Sequence, residues 1–218
     1  VTAPLEDHHV HSRWSDDAVD TVDDNLAAAA ARGVRVVCIS DHVRRATTWV
    51  PDYVADVRRA AATSPVTVLC GVEAKLLDAT GRLDLPPNLP PLDRVLIADH
   101  QFPGPDGPVP PESVRLPPAA AIDVLVGATV AAMRRTPWAQ LAHLFSLLPK
   151  MGIDEDEVGA DHLALLAATA RDTGTVVEVN EKWRCPGPAA VAAFRAAGVT
   201  VVTSTDSHRA ADVGVYGP

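Results

Sequence analysis

Val34-Arg35-Val36-Val37-Cys38-Ile39-Ser40-Asp41-His42 is an apolar run that ends in an acid and an imidazole, and the same design recurs along the chain. Val199-Thr200-Val201-Val202-Thr203 leads into Ser204-Thr205-Asp206-Ser207-His208, and shorter runs lead into Gly71-Val72-Glu73, Ala98-Asp99-His100 and Leu141-Ala142-His143. Near the start stands Asp7-His8-His9-Val10-His11-Ser12. Runs of Val, Ile and Leu without clean alternation are expected of strands buried on both faces in a parallel sheet. In an H-x-H on an extended strand both imidazoles point to the same side, because side chains repeat every second residue. Two neutral ring nitrogens can then share one ion. Six of the eight histidines fall in this set, leaving His8 and His162 outside it, so histidines scattered as surface or core residues do not account for the pattern.

Seven segments read as strands, at 6–11, 34–40, 66–72, 93–99, 139–143, 175–180 and 199–205. Helical stretches are predicted at 20–32, closed by Gly33, at 53–62 behind Pro51 and a capping Asp52, and at 121–134, 160–172 and 189–197. An open doubly wound sheet binds ligands at one crevice where strand order reverses. Here every strand end offers a polar group, Glu178 and Asn180 coming from the sixth. That convergence favours an α/β chain folded as a distorted, TIM-barrel-related (β/α)7 barrel with its site at the C-terminal rim, one catalytic domain over residues 1–218. Residues 86–118 depart from the pattern and hold eleven of the nineteen prolines. A stretch of this kind is either a substrate-covering loop or a stiff surface crossover.

At 218 residues one compact core is feasible, and the 47% apolar content is that of a globular chain. No apolar run is long enough to span a bilayer and no leader pattern is visible. Cys38, Cys70 and Cys185 form no C-x-x-C pair, so buried, reduced thiols in a cytoplasmic protein are expected. A net charge of −9 argues against a long nucleic acid as partner, which requires a cationic track, and makes a small molecule the better ligand. Oligomeric state is not written in the sequence.

At these residues the chain resembles the PHP family, named for polymerase and histidinol phosphatase, over nearly its whole length. The family pattern is matched by His9 and His11, by Asp16 in Ser15-Asp16-Asp17, by His42 after Asp41, by Glu73, by His100 and His143, and by Asp206 with His208. Relatives commonly show Ser-Asp-Gly where Ser15-Asp16-Asp17 stands, and some place a histidine at the position of Asp17. Asp16 is therefore the preferred candidate and Asp17 the reserve. Relatives often continue past the seventh strand with a closing helix, whereas Tyr216-Gly217-Pro218 follows it closely here, so the barrel seam is expected to be exposed or covered by the proline-rich stretch.

The resemblance implies two to three divalent ions held by these nine residues. One ion would lie on His9, His11, Glu73 and Asp206, a second on Glu73, His100 and His143, and a third on Asp16, His42 and His208. Glu73 would bridge two of them, and Glu73, Asp206 and His208 are the residues expected to carry catalysis. Mixed nitrogen and oxygen ligands suit zinc, manganese or iron alike. Paired cations lower the pKa of a shared water and neutralise charge building on phosphoryl oxygens. The activity implied is hydrolysis of a small phosphomonoester, as in histidinol-phosphate phosphatases. A phosphodiesterase or nucleotide phosphatase on the same centre is the alternative, and a non-catalytic metal-bound regulatory module is a third reading. Candidate phosphate anchors are Arg44 and Arg45, Lys75, Asn180, Lys182 and Arg184, set against the bland reading of rim charges paired on the surface, as Arg184 with Glu181.

Overall fold

The computed structural model describes residues 5–217. Seven parallel strands, β1 (Glu6–Val10), β2 (Val36–Val43), β3 (Thr67–Lys75), β4 (Arg94–Ala98), β7 (Gln140–Ala142), β8 (Val176–Asn180) and β9 (Val201–Ser204), lie side by side in chain order. A short antiparallel hairpin of β5 (Phe102–Pro103) and β6 (Pro108–Val109) interrupts the series. The five helices are α1 (Val22–Ala31), α2 (Val50–Ala61), α3 (Pro118–Arg135), α4 (Ala160–Thr173) and α5 (Pro188–Ala196). The result is the distorted barrel that the strand-end pattern implies.

The expected (β/α) repeat holds for five of the seven strands. No helix follows β3, because Pro86, Pro87, Pro90 and Pro91 remove the backbone donors a helix would need. Leu85, Leu89 and Leu92 of that extended segment instead cover the apolar face shared with α1 and α2. Helix α2 begins earlier than predicted, with Trp49 at its cap, so Pro51 and Asp52 occupy its first turn. Both residues suit that turn, the proline having no N–H to leave orphaned and the acid meeting the positive end of the helix dipole. Thr21 and Asp24 form a reciprocal capping box on α1, and Gly33 follows its end with φ +75°.

Outward-facing side chains of β1 to β3 pack on α1 and α2, and those of β4, β7 and β8 pack on α3, α4 and α5. On the other face of the strands Cys38, Leu96, Ala98 and Ala142 touch one another inside the barrel. Alternation then fixes what lies above them: Ser40 and His42 continue the Cys38 row, Gly71 and Glu73 the Leu69 row, and His100 the Ala98 row. The layer beneath the rim is made of small residues. At Gly71 a Cβ would lie 3.0 Å from Cys38 Sγ and 3.2 Å from the Arg94 carbonyl oxygen, so only glycine lets β2, β3 and β4 approach this closely. Cys38, Cys70 and Cys185 are buried free thiols. Among the described residues no helix is long and apolar enough to cross a membrane.

The seam between β9 and β1, the two ends of the sheet, is bridged and nearly closed, and not by the proline-rich stretch. The His11 N–H donates to the Ser207 carbonyl (2.8 Å), and Val10 and Ser207 form a parallel bridge. Asp7, fully buried, accepts from the backbone N–H (2.9 Å) and hydroxyl (2.6 Å) of Thr205 and from the Gly214 N–H (2.9 Å). Burial pushes the Asp7 carboxyl up to about 6 in spite of those donors. Because its removal orphans several buried donors, Asp7→Ala is expected to lower the unfolding free energy by about 2–4 kcal/mol in urea titration; a loss under about 0.5 kcal/mol would contradict this closure.

Candidate metal centre

Glu73 is the middle of the rim, 1% exposed. Its Oε1 lies 3.0 Å from His143 Nε2 and 3.1 Å from His100 Nε2. Its Oε2 lies 2.7 Å from His42 Nδ1 and 3.5 and 3.6 Å from the Nε2 atoms of His9 and His11, yet no hydrogen bond reaches it. Asp206 Oδ1 faces His11 Nε2 at 3.2 Å and His208 Nδ1 at 3.5 Å.

Behind the rings stands a set of acids, Glu178, Asp99 and Asp41, that the sequence placed at strand ends without assigning them this role. Glu178, fully buried, contacts His9 Nδ1 at 3.1 Å and accepts from Gln140 Nε2 (2.6 Å), the His143 N–H (2.8 Å) and Asn180 Nδ2 (2.7 Å). Asp99 lies 3.3 Å from His143 Nδ1 and accepts from the Ser146 hydroxyl (2.8 Å). Asp41 accepts from the Ser15 hydroxyl (2.7 Å), whose oxygen lies 3.3 Å from His11 Nδ1. A hydroxyl that donates to Asp41 must accept from His11. Each arrangement favours a proton on Nδ1, so in their neutral forms His9, His11 and His143 present Nε2 lone pairs to the interior.

Those lone pairs face each other and the carboxylates. His9 Nε2 and His11 Nε2 are only 3.0 Å apart. Asp7, Asp41, Glu73, Asp99, Glu178 and Asp206 are all buried about this rim, whereas among the described residues no lysine or arginine is buried. Such a set requires added positive charge, and its titration reflects the demand. Burial lowers His143, but Asp99 and Glu73 outweigh it and push the imidazole up to about 10. Burial takes His11 down to about 3, with His9 and His42 adding to the effect. Burial raises Glu73, but the His100 and His9 charges prevail and hold it well below the usual carboxylate range. Protons cannot satisfy every ring, whereas divalent cations on nitrogen and carboxylate oxygen can. The donor set therefore fits metal ions. Four triads have ligand atoms within 4.8 Å of one another: His9, His11 and Asp206; His9, Glu73 and His143; His42, Glu73 and His100; and His11, His42 and His208.

Two ligand candidates carry unusual backbone. Alternation from Gln140 and Ala142 would turn His143 outward, but φ +32° swings it in, and Asp206 has φ +52°. Such conformations cost roughly 1–3 kcal/mol and persist where surrounding contacts impose them.

The acid near His42 differs from the expectation. Asp17 Oδ2 lies 3.4 Å from His42 Nε2 and 3.3 Å from His208 Nε2, whereas Asp16, which lines the same cavity, pairs with Arg44 at 3.2 Å. The expected phosphate anchors also divide. Arg44, Lys75 and Lys182 line a cavity of about 270 Å³ over the cluster, together with Trp183, which sequence reasoning missed. Asn180 is buried and used structurally, accepting from the Trp183 N–H at 3.0 Å. Arg45 and Arg184 do not line the cavity, and the Glu181 suggested as a partner of Arg184 accepts from the Gly217 N–H instead. Of the proline-rich stretch only His100 lines it, so residues 101–118 form a crossover rather than a cover.

A family model described as the PHP domain matches residues 7–179. Among solved structures, histidinol phosphate phosphatase from Lactococcus lactis subsp. lactis Il1403, complexed with zinc, L-histidinol and phosphate, superposes with a TM-score of 0.72 at 16% identity, covering 95% of this chain and 87% of that one. A putative histidinol phosphatase from Listeria monocytogenes gives a TM-score of 0.73 at 12% identity, covering 96% and 97%. At these identities the likeness is one of fold. None of the curated proteins matches.

The two neighbouring acids provide a direct check. Asp17→Asn is expected to weaken binding of Mn²⁺ by about ten- to a hundredfold in calorimetric titration, while Asp16→Asn leaves it within about threefold. The opposite ranking would restore Asp16 as the ligand.

Proposed function

The chain belongs to the PHP domain family, and on that premise we propose that it is a metal-dependent phosphatase hydrolysing a small phosphomonoester. The observation that carries this reading is the stacking of opposite charges. A floor of buried carboxylates and inward Nε2 lone pairs lies beneath a cavity rimmed by Arg44, Lys75 and Lys182. Cations on the floor and rim together suit a phosphoryl group, and about 270 Å³ is room for a small ester rather than a polymer.

His9, His11, Glu73 and Asp206 would hold one divalent ion, Glu73, His100 and His143 a second, and His42 and His208 with Asp17 a third. Bound there, such ions supply Lewis acidity, which lowers the pKa of water and neutralises charge on phosphoryl oxygens. The protein's own contribution is orientation. Glu178, Asp99 and the Ser15–Asp41 pair fix the tautomer and direction of three rings, so the donors are in place before a ligand arrives. Among the described residues Lys75 Nζ is held by Gln101 Oε1 alone, at 3.5 Å, and Lys182 Nζ sits 3.4 Å from Asp206 Oδ2. Both ammonium groups can turn to non-bridging phosphate oxygens. Trp183 forms part of the wall beside them, where the leaving group would sit. The Lactococcus lactis structure of the same fold carries zinc, L-histidinol and phosphate, which supports an alcohol phosphate as the substrate class.

Release of inorganic phosphate from a panel of phosphomonoesters, and of the leaving alcohol from a matching panel of phosphodiesters, tests the reading. Monoester turnover lost on chelation and restored by metal is expected, and turnover of diesters alone would overturn it. Lys75→Ala and Lys182→Ala should each lower kcat/KM by about ten- to a thousandfold, while Arg45→Ala and Arg184→Ala, outside the cavity, change it less than about threefold.

A further inference from the structure

Trp183 joins the cavity wall to the frame behind the rings. Its backbone N–H donates to Asn180 Oδ1 (3.0 Å), and Asn180 Nδ2 donates to Glu178 Oε1 (2.7 Å), the same carboxylate that orients His9. Lys150 Nζ sits 4.3 Å from the centre of the indole and braces it by a cation–π contact. The indole N–H then donates to Asp206 Oδ2 at 2.7 Å.

That bond selects one carboxylate oxygen. Indole is a donor and cannot accept, so it ties down Oδ2 and leaves Oδ1 turned toward His11 Nε2 (3.2 Å) and His9 Nε2 (3.9 Å). Without a fixed donor the terminal torsion of an aspartate is broad, and Asp206 already departs from ordinary backbone with φ +52°. Lys182 Nζ also approaches Oδ2, at 3.4 Å, but on an exposed, flexible stem that the substrate would recruit. The better-held donor is the indole, itself 37% exposed but fixed through its backbone N–H on Asn180 and by Lys150 over the ring.

We propose that Trp183 is a positioning residue for Asp206, presenting Oδ1 to the ion shared with His9 and His11. The proposal rests on the metal-centre reading above. Two substitutions separate the hydrogen bond from the ring: Trp183→Phe keeps an aromatic wall and loses the donor, whereas Trp183→Gln loses the ring and keeps an N–H at comparable reach.

The test is calorimetric titration of Mn²⁺ into metal-stripped wild type and both variants, with thermal unfolding of the stripped proteins alongside. Trp183→Phe is expected to raise the Kd about ten- to a hundredfold with an unchanged unfolding midpoint, and Trp183→Gln to stay within about threefold of wild type. Trp183→Phe binding like wild type would overturn the proposal, as would equal weakening in both variants, which would mark a packing role for the ring. A wild-type chain that takes up no Mn²⁺ would instead overturn the metal centre, and this proposal with it.

Discussion

A carboxylate that is 1% exposed and ringed by imidazole nitrogens on both oxygens is the constraint on which this structure turns. Removing such a group from water costs several kcal/mol unless partners surround it. Here the surroundings of Glu73 are prepared from outside inward. Glu178 and Asp99 contact the Nδ1 atoms of His9 and His143, and Ser15 relays Asp41 to His11. Every ring so held turns a lone pair toward the centre. The outer acids thus add negative charge to a cluster already rich in it, an arrangement that divalent cations would relieve at once.

The barrel makes this concentration possible. Period-two alternation lifts His42, Glu73 and His100 above a layer of small side chains, where Ser40, Gly71 and Ala98 let the strands crowd together. Asp7 binds the last strand region to the first, so His11 meets Asp206 and His208 across the bridged seam. Over this anionic floor Lys75, Lys182 and Arg44 line the rim, each on a polar partner it would exchange for an anion. Stability and ligand binding draw on the same residues, since the buried charges packed together at the rim are those that would hold its ions.

Much of this was legible in the sequence because strands announce themselves. Apolar runs ending in acids or histidines placed seven strands and the direction of the barrel, and alternation set the orientation of His9, His42 and Glu73. Loops have no such period, so the preference for Asp16 over Asp17 rested on the resemblance alone; the chain turns at that point, brings Asp17 to His42 and His208 and pairs Asp16 with Arg44. The doublets Asp41-His42 and Asp99-His100 drew attention to their histidines, yet each acid serves a different one, His11 through Ser15 and His143 directly. Side chains adjacent in sequence diverge, and those partners lie across strands. Trp183 gave no signal, since an aromatic beside a strand end reads as packing. Arg45 and Arg184 follow strand ends as Lys75 and Lys182 do, but the bends that carry them past the cavity are three-dimensional.

The central claim is that the buried anionic cluster around Glu73 is completed by several divalent ions rather than by protons. Elemental analysis of protein purified with zinc, manganese and iron present, then freed of excess metal, tests it most directly. Two to three ions per chain are expected, falling as pH drops and the histidines take up protons. At most one ion per chain after metal-replete purification would contradict the account.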